Sequence, residues 1–351
     1  NQGDWLPASK INHVKEGAWY GSRSVDFEGT EGMVQDEPVV WLPQDEIGNS
    51  PSTPLYMDKG PYAGQMIHCE VTHGGVKRVY VEKVDGNYQG AVFRFSQGIE
   101  AGVNRLAWAP DGSLLVGGIG VSGNWGQTGK LHYGLQRMVY NGKSTFEMLK
   151  VKAKSDGFEI EFTEPIKEGQ VISPDNFQIE QFYFKPTAEY GGPKLGLETM
   201  TPKEFSLSAD RKTVAFKLDG LKEKHMVYFR VKRPFVSAED HELWTTEAWY
   251  TLTSIPENDP VNIQTYEVPN NTLTEAEKAA GYKLLFDEKS TAGLRNFNKE
   301  TLSSKWKAKN GELVFDPKAA GDGGDAVITD KPYKDYELLI DWKISTGGNS
   351  G

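Results

Sequence analysis

The chain has 351 residues, which is enough for two or three domains of ordinary size. Its 39 basic and 49 acidic side chains give a net charge of -10, which argues against a nucleic-acid-binding protein, because such a protein needs a clustered basic face. With one cysteine and no apolar run of about 18 residues, the sequence also excludes an internal disulfide and a membrane-spanning helix.

Residues 1–143 are rich in glycine and tryptophan and show repeated strand, turn and strand patterns. In the segment Gly102–Gly118, Leu106 and Trp108 form the expected inward face, and a Pro-Asp-Gly turn separates two strands. At roughly 40 to 50 residues per blade, this section predicts about three C-terminal blades of a β-propeller. Because so few blades cannot close a ring, we expect further blades upstream.

Residues 144–253 contain short strands of strictly alternating apolar and polar residues, separated by Asp-Gly turns. The alternating segments are Phe158–Phe162, Val214–Leu218 and Val227–Val231. Regular short strands over ~110 residues predict an immunoglobulin-like β-sandwich.

Residues 254–281 read as a proline-bearing linker followed by a short helix near residues 273–280, with Thr272 as its N-cap and Glu275 as the capping-box partner. Residues 282–351 return to the pattern of strands and end in a glycine-rich loop, which predicts the first part of a further β domain. The strands expected there are Lys283–Phe286, Glu312–Phe315, Asp325–Ile328 and Tyr336–Trp342.

The last section resembles the start of the 3-keto-disaccharide hydrolase family, a jelly roll of the concanavalin-A type. The residues that carry this resemblance are Gly281–Asp287, Trp306, Asn310–Leu313, Gly323–Asp325, Tyr336–Leu338, Trp342–Ile344 and Gly347–Gly351. The resemblance implies an enzyme that cleaves 3-keto-glycosides. The expected fold is therefore all-β: partial β-propeller, Ig-like β-sandwich and incomplete concanavalin-A-like jelly roll.

The first section resembles the C-terminal blades of the sorbosone/glucose dehydrogenase-like propellers found in large multidomain bacterial proteins. The residues that carry it are Asn1–Trp5, Glu46–Pro51, Gln89–Arg94, Asn124–Gln127 and Tyr133–Arg137, and it continues through Phe146–Met148 and Gly157–Phe162. The two resemblances imply a periplasmic or extracellular bacterial protein, further domains in the parent chain, and an oligosaccharide, polysaccharide or glycoside as ligand. A quinone is implied as cofactor if the propeller is a dehydrogenase.

Cleavage of a 3-keto-glycoside by elimination needs a base for the C2 hydrogen and donors for the enolate oxygen. Residues 282–351 contain no histidine, so the candidates are the carboxylates Asp322, Asp325, Glu337 and Asp341, with Asn349 and Ser350 as polar donors. Asp341 is the candidate base, with an ordinary solvent-facing carboxylate as the alternative. Asn349 and Ser350 lie between glycines that allow close approach of a ligand, and Trp342 is the aromatic candidate for sugar contact.

Asp322 and Asp325 lie in a glycine-rich turn and are candidate ligands for calcium or another divalent metal, with a plain turn as the alternative. In the propeller section, His73 and the pair Asn124 and Trp125 are candidate ligand contacts, because neighbouring glycines allow a ligand to approach.

Aromatic residues of the propeller section are candidates for stacking on sugar rings, with burial in the core as the alternative. They are Trp5, Trp19, Tyr20 and Trp125. Three functions remain open at this point: a glycoside hydrolase or lyase acting on 3-keto sugars, a quinone- or metal-dependent sugar dehydrogenase, and a non-catalytic glycan-binding scaffold.

Overall fold

The structure is a computed structural model that describes residues 1–24, 26–120, 129–263, 271, 273, 278, 280–328, 333–340, 342 and 344. The chain divides into two compact units, Asn1–Thr265 and Tyr266–Gly351. In the described part, no helix combines the length and the apolar character that crossing a membrane requires. The described residues are organised in 21 strands and a short 3-10 turn at Pro174–Asn176, so the all-β expectation is confirmed.

The first half of the unit Asn1–Thr265 consists of antiparallel hairpins. Its strands are β1 (Ser9–Ile11), β2 (Val40–Leu42), β3 (Pro51–Tyr56), β4 (Met66–Glu70), β5 (Val76–Val84), β6 (Asn87–Ser96), β7 (Gly102–Trp108), β8 (Leu114–Ile119) and β9 (Tyr133–Met138). Strands β3 to β6 pair in chain order, and β7 to β9 form a separate three-stranded sheet. The turn between β5 and β6 uses positive φ angles at Asp85 and Gly86, as a two-residue hairpin turn requires.

The second half of the unit supplies two layers of strands. They are β10 (Met148–Lys154), β11 (Gly157–Phe162), β12 (Phe177–Tyr183), β13 (Leu195–Met200), β14 (Lys203–Leu207), β15 (Thr213–Lys217), β16 (His225–Val231) and β17 (Glu247–Leu252). One sheet has the order β10-β11-β15-β14, and the other begins β13-β12-β16-β17. The expected period-two pattern is confirmed on β11, where Phe158, Ile160 and Phe162 are fully buried and pack in one core with Phe216 and Phe229. It is wrong for β15 and β16, which bury the consecutive residues Val214–Phe216 and Met226–Phe229.

The second of these sheets continues across the predicted boundary at residue 143. Strand β17 pairs antiparallel with β6 through Trp249 and Val92, Tyr250 and Ala91, and Thr251 and Gly90, which produces the eight-stranded order β13-β12-β16-β17-β6-β5-β4-β3. The boundary therefore falls inside one compact unit. The sheets do not by themselves identify a propeller or an immunoglobulin-like domain, and both assignments stay predictions.

Two residues of the first half bear on the sequence expectations. Cys69 is fully buried on β4, as a small apolar residue would be, and burial raises the pKa of its thiol to about 11. Trp108 was expected to face inward beside Leu106, but it is 39% exposed and its indole N–H donates to the Tyr56 carbonyl at 2.9 Å. That expectation is wrong because Trp108 ends its strand, where the indole reaches across to the neighbouring backbone.

The unit Tyr266–Gly351 contains two short antiparallel ladders in its described residues. They are β18 (Leu294–Arg295) with β21 (Val327–Ile328), and β19 (Trp306–Lys309) with β20 (Glu312–Phe315). Most of the helix expected near residues 273–280 lies outside the described residues. An all-β region of this kind is consistent with a jelly roll.

Two expected strands of this unit are not formed in the described structure. Residues 283–286 and 336–340 have no ladder partner there, and Leu338, Leu339 and Ile340 are exposed. The expectation of strands at these positions is wrong for the described residues, because an apolar period-two segment becomes a strand only when a neighbour supplies ladder hydrogen bonds.

Candidate functional site

The candidate catalytic region is the unit Tyr266–Gly351, and only part of its predicted site lies among the described residues. Asp341, Asn349 and Ser350 lie outside them, so their assignment as base and donors stays a prediction. Trp342 is described and is 74% exposed, which leaves its indole open to solvent or to a ligand.

Asp325 organises the loop that follows β18. Its carboxylate accepts the Phe297 N–H, and its carbonyl accepts the side-chain N–H of Asn296. The Asn296 side chain is buried and its Oδ1 accepts the Ser303 N–H at 2.6 Å. The backbone hydrogen bond from Phe297 holds the pKa of Asp325 below its usual range. Asp325 therefore fixes the start of the loop between β18 and β19, and the Asn296 side chain joins that start to Ser303 near its end.

Asp322 and Asp325 do not form part of a metal-binding group in the described structure. Among the residues described, no three His, Cys, Asp or Glu side chains lie close enough together to hold a metal ion. Asp322 is exposed in the turn that precedes Gly323, whose φ is +83°. The calcium site stays a prediction with no further support from the geometry.

The start of the region is held by hydrogen bonds that the sequence did not reveal. The Tyr282 hydroxyl donates to the Glu337 carboxylate, so the segments around these two residues are joined although 55 positions separate them in the chain. The carboxylate of Asp287 accepts the backbone N–H groups of Lys289 at 3.0 Å and Ser290 at 2.7 Å, which lowers the pKa of Asp287. An aspartate that precedes a turn by two or three residues often accepts the backbone N–H groups of that turn. The sequence therefore contained the signal for the turn at Asp287.

In the unit Asn1–Thr265, His73 lies at the turn between β4 and β5. Its Nε2 is 3.9 Å from the Asp45 carboxylate. The two glycines after it adopt positive φ angles, and a Cβ at Gly75 would lie 2.1 Å from the Ser96 carbonyl. Gly75 therefore serves close packing of two backbone segments rather than ligand approach. Asn124 and Trp125 lie outside the described residues.

Two of the aromatic residues expected to stack on sugars lie together on a cleft of the same unit. Trp5 and Trp19 line a cavity of about 610 Å³, and Trp41 and Tyr183 line it with them. Tyr20 lies outside this lining, and its carbonyl accepts the Lys10 ammonium at 2.6 Å. The sequence did not reveal Trp41 or Tyr183, because they reach the cleft from β2 and β12, which are about 140 residues apart.

Known proteins match this chain in its C-terminal region. The profile of the family described as 3-keto-alpha-glucoside-1,2-lyase-like domain matches residues 281–351. A curated 3-keto-disaccharide hydrolase of Bacteroides thetaiotaomicron is 40% identical over 78 residues, which are 21% of this chain and 27% of that relative. The chain thus spans about a quarter of the relative's length. No solved structure matches the chain. Residues 281–351 therefore match the 3-keto-disaccharide hydrolase domain, which supports a carbohydrate hydrolase-like function for this region.

Proposed function

We propose that the region 281–351 belongs to a catalytic domain that cleaves the glycosidic bond of 3-keto-glycosides by elimination followed by hydration. The observation that carries the proposal is the family match over the whole of this region, together with 40% identity to a relative named as a 3-keto-disaccharide hydrolase. Export to the periplasm or the extracellular space is part of the same proposal.

The chemistry follows from the ketone. A carbonyl at C3 acidifies the C2 hydrogen, so a base removes that proton and the electron pair moves onto the C3 oxygen as an enolate. The enolate then re-forms the ketone and expels the glycosidic oxygen from C1, which takes up a proton and leaves as an alcohol. Water adds to C1 of the resulting enone, and C2 regains a proton. Each step needs a positioned base, an acid and a donor to the enolate oxygen.

We assign the base to Asp341 and the enolate donors to Asn349 and Ser350. Asp341 is the acidic residue beside Trp342, whose exposed indole is suited to cover one face of a sugar ring. The Gly347–Gly351 loop has no bulky side chain beside Asn349 and Ser350, so a substrate oxygen can approach both groups.

Cleavage in D₂O tests the elimination route. The full-length protein is given an aryl 3-keto-α-glucoside, and the sugar product is collected early and examined by proton NMR. We expect deuterium at C2 of the product, because C2 regains its hydrogen from solvent. Product 3-keto-glucose incubated alone for the same time controls for uncatalysed exchange. Retention of the original hydrogen at C2 would point to direct hydrolysis and would contradict the proposal.

Replacing the Asn349 side chain tests the placement of the site. In the full-length protein, Asn349→Ala is expected to lower turnover of a 3-keto-glucoside by about tenfold or more, the range for loss of a direct donor to an oxyanion. The matched control is Asn298→Gly, an exposed turn position with φ of +54° that a glycine accommodates. Equal turnover in Asn349→Ala and Asn298→Gly would remove Asn349 from the site and leave the reaction class standing.

A further inference from the structure

The aromatic cleft of the unit Asn1–Thr265 has the dimensions of a small-molecule site. Its volume of about 610 Å³ lies inside the range of roughly 300 to 1,000 Å³ that ligand pockets occupy. Five aromatic side chains contribute to its lining: Trp5, Trp19, Trp41, Tyr183 and Phe184. All of the described residues that line it lie in the unit Asn1–Thr265.

The floor of the cleft is fixed by packing. Trp41 is 7% exposed, and its ring centroid lies 5.5 Å from that of Phe184. The Lys10 ammonium lies 5.0 Å from the centroid of the Trp41 ring. The backbone N–H of Trp41 donates to the hydroxyl of Thr251 at 2.8 Å, which joins β2 to the central sheet. These contacts give the cleft a rigid aromatic base before any ligand binds.

Trp5 stands in a backbone conformation that a bulky residue seldom adopts. Its φ is +63°, in the left-handed region, and its N–H donates to the Thr187 carbonyl at 2.8 Å. The Arg23 guanidinium lies 4.7 Å from its ring centroid. Such a conformation is strained and persists where the surroundings enforce it, which is common at binding sites. The strain here serves to present the indole at the cleft.

Trp19 is held to Asp36 by a reciprocal pair of hydrogen bonds. The backbone N–H of Trp19 donates to the Asp36 carboxylate at 2.9 Å, and the backbone N–H of Asp36 donates to the Trp19 carbonyl at 2.7 Å. The first of these bonds holds the pKa of Asp36 below its usual range, so the carboxylate is charged at neutral pH. A charged carboxylate therefore lies at the cleft beside the Trp19 backbone, and its other oxygen pairs with the Lys15 ammonium at 3.4 Å.

The charges around the cleft are mixed rather than of one sign. Arg23 and Lys224 contribute two positive charges, and Asp36, Glu37 and Glu223 contribute three negative charges. A nearly balanced set does not select an anion or a cation, but it supplies strong donors and acceptors for hydroxyl groups. Aromatic faces next to such groups suit a ligand with apolar C–H faces and a polar edge, which describes a pyranose ring.

We propose that this cleft binds a neutral oligosaccharide, with Trp5 and Trp19 stacking on sugar rings and Arg23 and Asp36 bonding to hydroxyls. The site is built from other residues than the catalytic proposal uses, since the described residues of its lining belong to the unit Asn1–Thr265. Its role is to hold the glycan on the same polypeptide as the catalytic region.

Calorimetric titration of the whole chain tests this site, with cellotriose, xylotriose, maltotriose and the anionic trigalacturonate as probes. We expect at least one of the neutral trisaccharides to bind more tightly than trigalacturonate. Trp19→Ala is expected to weaken that binding by about tenfold or more through loss of a stacked ring. Trp5→Gly is expected to act likewise, and glycine accepts the positive φ, so the backbone at this position is not disturbed.

The matched control is Trp244→Ala, which removes a tryptophan that is 50% exposed and does not line the cleft. It is expected to bind the same trisaccharide within about twofold of the wild type. The thermal midpoint of each variant verifies that it is folded. The proposal is overturned if no neutral trisaccharide binds, if trigalacturonate binds best, or if folded Trp5→Gly and Trp19→Ala bind as the wild type does. Cleavage of 3-keto-glycosides is measured separately, so its loss or retention does not decide this outcome.

Discussion

Arg78→Met is expected to lower the free energy of unfolding of the Asn1–Thr265 unit by about 3 to 5 kcal/mol, the range for removing one partner of a buried ion pair. Arg78 and Glu147 are 0% and 1% exposed, and the guanidinium lies 3.2 Å from the carboxylate. The same guanidinium donates to the carbonyls of Met148 and Leu149. Without it, the Glu147 charge loses its positive partner and the Met148 carbonyl loses the guanidinium donor, while the Leu149 carbonyl still accepts the Gln65 side-chain N–H at 3.0 Å.

The remaining contacts of Glu147 do not replace the lost charge. Its carboxylate also accepts the hydroxyls of Tyr62 at 2.5 Å and Thr145 at 2.6 Å. Burial and the Glu147 charge raise the pKa of Tyr62, so its hydroxyl stays a donor. These neutral donors satisfy lone pairs but carry no positive charge. We therefore expect the double variant Arg78→Met with Glu147→Leu to recover much of the stability lost in Arg78→Met, since it removes the unpaired charge.

Denaturant unfolding followed by tryptophan fluorescence measures these differences. The matched control is Lys203→Met, which breaks an exposed ion pair with Asp219, where the side chains are 47% and 83% exposed. Such pairs contribute about 0 to 1 kcal/mol, so the control is expected to unfold close to the wild type. A loss in Arg78→Met no larger than that in Lys203→Met would show that the buried pair does not hold the β5 strand to the segment that leads into β10.

The strands that the sequence predicted correctly are those whose partners bury one complete face. β15 and β16 bury consecutive residues, whereas Phe158, Ile160 and Phe162 alternate with glutamates on β11. An apolar face of this kind has one stable orientation, toward the core. The segment Tyr336–Trp342 has a similar pattern but no ladder partner among the described residues, so pattern alone did not decide its structure.

The pairing of β6 with β17 was not predictable from the apolar and polar pattern of the sequence. Trp249, Tyr250 and Thr251 pair with Val92, Ala91 and Gly90 through backbone groups, which every residue except proline carries. Which edge strands meet is decided by the packing of the layers around them. The same long-range packing assembles the cleft, where Trp5 and Trp19 from the first 20 residues meet Tyr183 of β12. The sequence predicted Trp5 and Trp19 as stacking residues, but it did not predict that they lie together in one cleft with Trp41 and Tyr183.

The catalytic assignment was readable only through resemblance. The region 281–351 has no histidine and no carboxylate pair at a recognisable spacing, so composition and spacing did not indicate a reaction. The ordered set of glycines, aspartates, asparagines and tryptophans indicated the reaction class through resemblance, and the family match covers the same region. The described residues explain part of that set in structural terms: Asp287 and Asp325 accept backbone N–H groups and shape turns.

The central claim is that catalysis depends on the ketone at C3, and a comparison of two substrates tests it most directly. Full-length protein is assayed with an aryl 3-keto-α-glucoside and with the matching aryl α-glucoside, and kcat/KM for release of the phenol is compared. Only the keto sugar has an acidified C2 hydrogen, so we expect it to be favoured by at least about a thousandfold, which corresponds to about 4 kcal/mol of barrier. Equal kcat/KM values for the two substrates would contradict the account.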